Sequence, residues 1–369
     1  LSFQLERYFD YAATTPIDEA VREEMLPFLG EAFGNPNSTH AWGQRTRAAV
    51  ELARERIAEA TGWSPECVTF TASATEANNW VIAQHPGGQM SPFEHEAVRA
   101  PGLVHGYCVI PNDGLELLPA PGESRLPLVS KILVSNETGT VWNPNSFFEP
   151  STHDFIHSDA SQALGRIDLQ SASADFMTFS SHKCYGPKGA AALITGNSMG
   201  PMLLGGEQEN GLRAGTLNVP AIVGFGLAAQ IAEERREADW QHAEELRSVL
   251  LAELEPVSDW QVNGVDENWI GSEERPISNV PHILSLSFLG VEGETLVIEA
   301  DAAGFAISAG AACSSGSTEP SHVLTAMGLA PEWIRGTARI SFGRYNSKEA
   351  ARALGHFLRV SLDRLRQKS

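Results

Sequence analysis

The segment SSHKCYGPKG (180–189) holds the first chemistry the chain offers. Ser180, His182 and Lys183 follow an apolar run, Phe176–Phe179, and Gly186 and Gly189 then turn the chain. A nucleophilic lysine works as a neutral amine, which calls for a rigid, desolvated setting such as a strand end. The hydroxyl and imidazole beside it suit a phosphate. A surface loop with an incidental lysine is the plain alternative for this motif by itself. Upstream, SDASQALG (158–165) puts Asp159 after a short apolar run, Phe155-Ile156, and 24 residues before Lys183. A buried carboxylate there can keep an aromatic ring nitrogen protonated, so that the ring draws electrons. Gln162 is placed to reach an oxygen on the same ring. Alone, such an aspartate is more often a helix cap; the pair says more than either part.

Two weaker signals accompany these. In SATEANN (73–79), Ala74 and Thr75 sit between a β-type run and a helix, where backbone amides bind phosphate well. In SAGAACSSGSTEPSHVL (308–324), Cys313 lies among Ser, Gly and Ala with no apolar neighbours. Most free cysteines are packing residues, and Cys67, Cys108 and Cys184 are read that way. Cys313 is expected to be an exposed thiol, a position that a functional thiol would occupy. His153, His157 and Asp159 are close in sequence, but His153 is placed in a loop, so no metal site is expected.

The elements that must position these residues alternate. Residues 43–60 put Val50, Ala53, Ile57 and Ala60 on one helical face, with Gly62 to close the helix. Val68–Thr71 reads as a strand and 73–83 as a helix; further strands are expected at 107–110, 132–135, 176–179 and 191–194. Short buried strands between helices indicate an α/β fold with a mostly parallel sheet. Residues 84–130, rich in Pro and Gly, read as surface loops, and 221–255 as one long or broken helix. Beyond it come strands at 283–288, 305–308 and 337–342, a helix at 292–302, and a final helix to about 367 capped by Asn346 with Glu349. A chain of 369 residues exceeds one core. The expected division is a large α/β domain, 11–255, and a small α+β domain, 256–369 with residues 1–10.

Charge narrows the partners. Asp and Glu number 46 against 26 Lys and Arg, a net charge of -20. So acidic a chain repels phosphate backbones and anionic lipid, and neither nucleic acid nor membrane is expected to bind directly. Plain solubility is the simplest account of that charge. Four cysteines without a C-x-x-C pair suit a reducing compartment. No apolar run has the length of a membrane span, and residues 1–16 have no signal-peptide pattern, so a cytoplasmic protein is expected.

Together with YFDYAATTP (8–16), GNPNSTHAWG (34–43), EHEAVR (94–99), VSNETG (134–139), GLRAGT (211–216) and ARISFGRYN (338–346), these segments resemble the cysteine desulfurases of the NifS/IscS type. These are class V aminotransferase-like enzymes of pyridoxal-phosphate fold type I. The resemblance spans nearly the whole chain. It implies a large domain with a mostly parallel seven-stranded sheet between helices, and a small α+β domain carrying the cysteine loop. It implies that Lys183 holds pyridoxal 5'-phosphate as a Schiff base and that His95 stacks on its ring and helps shuttle protons. Asp159 would face the ring nitrogen, with Gln162 and Asn136 around the ring oxygen and substrate. Ala74, Thr75, Ser180 and His182 would cradle the phosphate, Thr216 would reach a phosphate across a homodimer interface, and Arg339 would hold the substrate carboxylate. Cys313 would take sulfur from L-cysteine as a persulfide, leaving L-alanine, and pass it to an acceptor or scaffold protein for iron–sulfur assembly or thiolation. The spacing around Cys313 is similar to the IscS/NifS branch rather than the SufS branch. Departures from the pattern are shortened stretches at 80–95, 100–130 and 140–155, Ser135 for a common Asn and Ser181 for a common Gly. Two other activities stay open with the same cofactor: a selenocysteine lyase and a class V aminotransferase. A third alternative is a sulfur-relay component that binds the cofactor but is inactive without a partner.

Overall fold

The protein is seen in a computed structural model that describes residues 4–117, 125–142, 153–170, 172, 174–265, 277–310 and 320–367. Seven strands form the large sheet, in the order Val68–Thr71, Ala191–Ile194, Phe176–Ser180, His153–Asp159, Leu126–Ser130, Gln89–Met90, Cys108–Val109. Ala191–Ile194 is antiparallel to both neighbours. The remaining pairings are parallel, which gives the mostly parallel α/β sheet expected. Strands at the middle of such a sheet are covered on both faces; Phe176–Ser180 and Ala191–Ile194 are buried at every position.

Helix Ala41–Thr61 packs on the sheet through Val50, Ala53, Ile57 and Ala60. It ends at Gly62, whose φ of 74° lets its amide reach back to Ala58 and Glu59. Helix Val219–Glu234 lies against it so closely that a Cβ on Gly226 would come within 2.5 Å of the Ala53 Cα.

A second, four-stranded sheet is antiparallel, in the order Trp260–Val262, Ile283–Phe288, Thr337–Ser341, Ser308–Ala309. Helices Arg236–Leu254, Gly293–Ala302 and Lys348–Arg366 cover it, and its core includes Phe9, Leu250, Leu286, Ile340 and Leu358. The long helix is thus broken at Arg235, and its second half packs into this smaller core.

Several expectations differ from the structure. The strand expected at 132–135 is instead Leu126–Ser130, and 132–135 continues past its end, bonding to Asp159 and Thr140. A helix, Glu96–Val104, occupies part of the expected loops despite Pro101; its amphipathic turn buries Ala97, Val98 and Gly102. The expected 305–308 strand is Ser308–Ala309. His153 opens a strand rather than lying in a loop. Ser347, not Asn346, caps the last helix, because Asn346 is drawn away to the carbonyls of Glu6 and Tyr8. Cys108 is exposed at the sheet edge, not packed, whereas Cys184 is buried. Among the described residues no helix is long and apolar enough to cross a membrane, and no group of three His, Cys, Asp or Glu side chains is placed to hold a metal ion.

Candidate active site

In an open α/β sheet, ligands bind outside the carboxyl ends of the parallel strands. Five segments leave the large sheet at that edge: Ser73–Thr75, His95, Ile132–Asn136, Asp159–Gln162 and Ser180–Lys183. They surround a cleft of about 270 Å³. Ala74, Thr75, His95, Asn136, Asp159, Gln162, Ser180, His182, Lys183 and, from the second sheet, Arg339 all line it. Two expected site residues do not. Thr216 is exposed and lies outside the cleft. Cys313 falls in 311–319, outside the described residues.

Asp159 ends its strand at the cleft floor and is only 4% exposed. Its Oδ2 accepts from Asn78 Nδ2 at 2.7 Å and its Oδ1 from the Ser161 amide at 3.0 Å. Two donors fix the orientation of the carboxylate, as a partner for a ring nitrogen requires. Lys183 Nζ donates to the carbonyls of Ala12 and Ala13, at 2.7 and 2.9 Å. Gln162 Nε2 also donates to Ala12, at 2.8 Å, and its Oε1 accepts from Arg166. His182 Nδ1 is 3.1 Å from Thr14 Oγ1. Burial, with the charges of Lys183 and Lys188 behind it, pushes His182 down to about 4, so the ring is neutral near pH 7.

His95 caps helix Glu96–Val104: its Nδ1 accepts the Ala97 amide at 3.0 Å, so a neutral ring carries its proton on Nε2. Helix Ala74–Gln84 begins beside Ser180 and His182, and Ser73 Oγ accepts the Glu76 amide at 3.1 Å. The first amides of a helix have no intrahelical acceptor, so those of Ala74 and Thr75 suit an anion. Arg339 is 2% exposed. It donates to Asn136 O at 2.9 Å and to Asp10 Oδ1 at 2.8 Å, while its Nε has no partner among the described residues. Near it, burial raises Glu137 to about 7 even though Ser321 donates to it at 2.6 Å.

A phosphate, a ring with a basic nitrogen and a carboxylate each find a matching group here: helix amides with a hydroxyl and an imidazole, a fixed carboxylate, and a guanidinium with a spare donor. An amine stands between them. The residue types therefore fit pyridoxal 5'-phosphate. Sequence reasoning assigned no role to Asp10, Ala12, Ala13 or Thr14, although YFDYAATTP was singled out as a motif. It also missed Asn78, four residues after Ala74 and hence on the same helical face.

Residues 7–97 and 118–354 match the family described as Aminotransferase class-V. The chain is similar to the cysteine desulfurase IscS of Dictyoglomus turgidum, at 37% identity over 93% of this chain and 91% of that one. It is 36% identical to cysteine desulfurase IscS 1 of Archaeoglobus fulgidus, covering 98% of each. Among solved structures, a NifS-like protein from Rickettsia africae superposes with a TM-score of 0.85 at 27% identity, over 97% of this chain and 99% of that one. With matches that cover 93% and 98% of its length, the chain belongs to the class-V aminotransferase family as one of its pyridoxal-phosphate-dependent cysteine desulfurases.

Proposed function

We propose that the cleft takes L-cysteine and that the enzyme moves its sulfur to Cys313, leaving L-alanine. The observation that carries this is the convergence of ten positions, drawn from separate motifs, on one cleft. Ala74, Thr75, Ser180 and His182 would hold the cofactor's phosphate, and Asp159 would partner its ring nitrogen. When bound, pyridoxal phosphate supplies an electron-withdrawing ring that makes the substrate's Cα proton acidic. Arg339 binds the substrate carboxylate, its planar fork matching the two oxygens. Gln162 and Asn136 orient the ring oxygen and the substrate. The Lys183 amine takes the Cα proton and returns it elsewhere on the substrate. His95, with its proton on Nε2, would cover a face of the bound ring and is a proton donor at the substrate's sulfur end.

The Cys313 thiolate attacks the substrate Sγ. The Cβ–Sγ bond breaks with its electron pair left on carbon, a proton replaces the sulfur there, and Cys313 carries a persulfide. A sulfur-acceptor or scaffold protein then receives that sulfur, in iron–sulfur assembly or thiolation. The enzyme works as a homodimer in the cytoplasm, with Thr216 completing the phosphate site of its partner. Exposure of Thr216 outside its own cleft supports that arrangement.

Alanine release from L-cysteine with a reductant, on wild type and Cys313→Ala, tests the reading. Activity lost only in the variant, with the cofactor's absorbance retained by both, is the expected result. Activity indifferent to Cys313 points to a lyase or aminotransferase, and release that rises only when an acceptor is added points to a relay component.

A further inference from the structure

Beside the cleft floor runs a line of buried polar side chains that the reaction above does not use. Glu94, between strand Gln89–Met90 and His95, is fully buried. Its Oε1 lies 3.2 Å from Ser130 Oγ. Ser130 Oγ is also 2.8 Å from His157 Nδ1, and His157 Nε2 is 3.4 Å from Thr178 Oγ1. Register explains the line: Ser130 pairs with His157, and Thr178 pairs with Asp159. His157 and Asp159, two residues apart in one strand, share a sheet face. The chain thus crosses three strands on the sheet face that also carries Asp159.

Its proton arrangement follows from counting. Ser130 has one hydrogen, so it donates at one of its two bonds and accepts at the other. Glu94 Oε2 has no partner among the described residues. An ionised carboxylate would leave a bare charged oxygen buried there, whereas an acid leaves only a carbonyl oxygen. The acid form sets every bond in one direction: Glu94 to Ser130, Ser130 to His157 Nδ1, and His157 Nε2–H to Thr178.

The surroundings agree. Burial first, then the charge of Asp159, push the Glu94 carboxyl well above its usual range, against the pull of Ser130, the Ile132 amide and Lys131. Burial lowers His157 to about 4, with Asp159 opposing, and lowers Lys131 to about 7, with Glu94 opposing. From the helical side Glu94 meets His322, whose Nε2 lies 2.9 Å from its carbonyl, and its neighbour His95.

We propose that Glu94, Ser130 and His157 are positioning residues that act on the cofactor through Asp159, holding one direction of hydrogen bonds in the strands beside it. This rests on the reading of Asp159 as the partner of the ring nitrogen.

The test uses holoenzyme and two readouts apart from turnover: the pH midpoint of the cofactor's visible absorbance band, and the cofactor dissociation constant from titration of stripped protein. Ser130→Ala cuts the chain in the middle. It is expected to displace the midpoint by about 0.5 unit or more and to weaken cofactor binding about tenfold. Glu94→Gln, whose amide still donates to Ser130, stays within about twofold of wild type. Thr178→Val, at the far end, displaces the midpoint in the same direction as Ser130→Ala by a smaller amount. Wild-type values in both Ser130→Ala and Thr178→Val overturn the proposal, as does a Glu94→Gln protein displaced as far as Ser130→Ala. Asp159→Asn separates the two layers: if it too leaves band and affinity unchanged, Asp159 is not the ring's partner, and the underlying reading is what fails.

Discussion

Removal of the Arg54 guanidinium tests how the segment bearing Thr216 is held. Arg54 reaches from helix Ala41–Thr61 to Glu209, with NH2 to Oε1 at 2.9 Å and NH1 to Oε2 at 3.0 Å. The Glu209 side chain is 2% exposed and that of Arg54 12%. Glu209 Oε2 also accepts the Phe70 amide at 2.8 Å, and the guanidinium lies 4.8 Å from the Phe70 ring centroid. Glu209 and Asn210 both sit at positive φ, 49° and 56°, so the pair also holds a strained turn. Breaking a buried pair by deleting one partner costs about 3–5 kcal/mol, because the other charge stays behind. Arg54 is one-eighth exposed, which puts Arg54→Ala at the lower end, about 3 kcal/mol. With a urea dependence of about 3 kcal/mol per molar, the unfolding midpoint of the cofactor-free protein should fall by about 1 M. Arg54→Ala combined with Glu209→Gln should recover about 1–2 kcal/mol, since a neutral amide can still accept from Phe70. A single variant within about 0.5 kcal/mol of wild type, or a double variant no better than the single, would refute the reasoning.

Three further outcomes are expected. Arg339→Lys keeps the charge but loses the planar fork that meets Asn136 and Asp10, so the KM for L-cysteine should rise about 10- to 100-fold with a smaller change in kcat, measured by alanine release. Gly226→Ala puts a Cβ 2.5 Å from the Ala53 Cα and should cost about 1–3 kcal/mol in the same urea assay. Stability should fall as pH drops from about 6.5 to about 4: the unfolded chain protonates its histidines in that window, while the fold keeps His157 and His182 neutral. Glu137 runs the other way. Its folded value of about 7 favours the fold below the ordinary 4.5 and loses that effect as pH rises through 7, so Glu137→Gln should steepen the acid slope.

Where local pattern and tertiary need agree, the sequence is readable. Val68–Thr71, Ala191–Ile194 and Ile283–Phe288 are short β-type runs buried at every position, and the strands begin and end where those runs do. Helix Glu96–Val104 was hidden because Pro101 and Gly102, which normally end helices, lie in its last turn. The choice of Ser347 over Asn346 as a cap depended on carbonyls 338 and 340 residues away. The site shows the same split. Lys183, Asp159 and Thr75 announce themselves through neighbours in sequence. Ser130 and Glu94 are ordinary residues in sequence, and register alone brings them to His157.

The path of residues 8–15 has a consequence for how the enzyme is made. Tyr8 bridges to Ala306 and Asp10 to Ser341 in the second sheet, while Ala12, Ala13 and Thr15 meet Lys183 and His182 in the first. This stretch precedes its partners on the ribosome by as many as 338 residues, the interval from Tyr8 to Asn346. Until the strand Thr337–Ser341 has emerged, Asp10 has no guanidinium to bind and Ala12 no Ser341 hydroxyl to accept its amide. The large sheet can assemble on the nascent chain, since all its strands lie before residue 195. The cleft is completed only after Thr337–Ser341 has emerged, so chains stalled or cleaved before residue 337 should hold a folded sheet and an unfinished site.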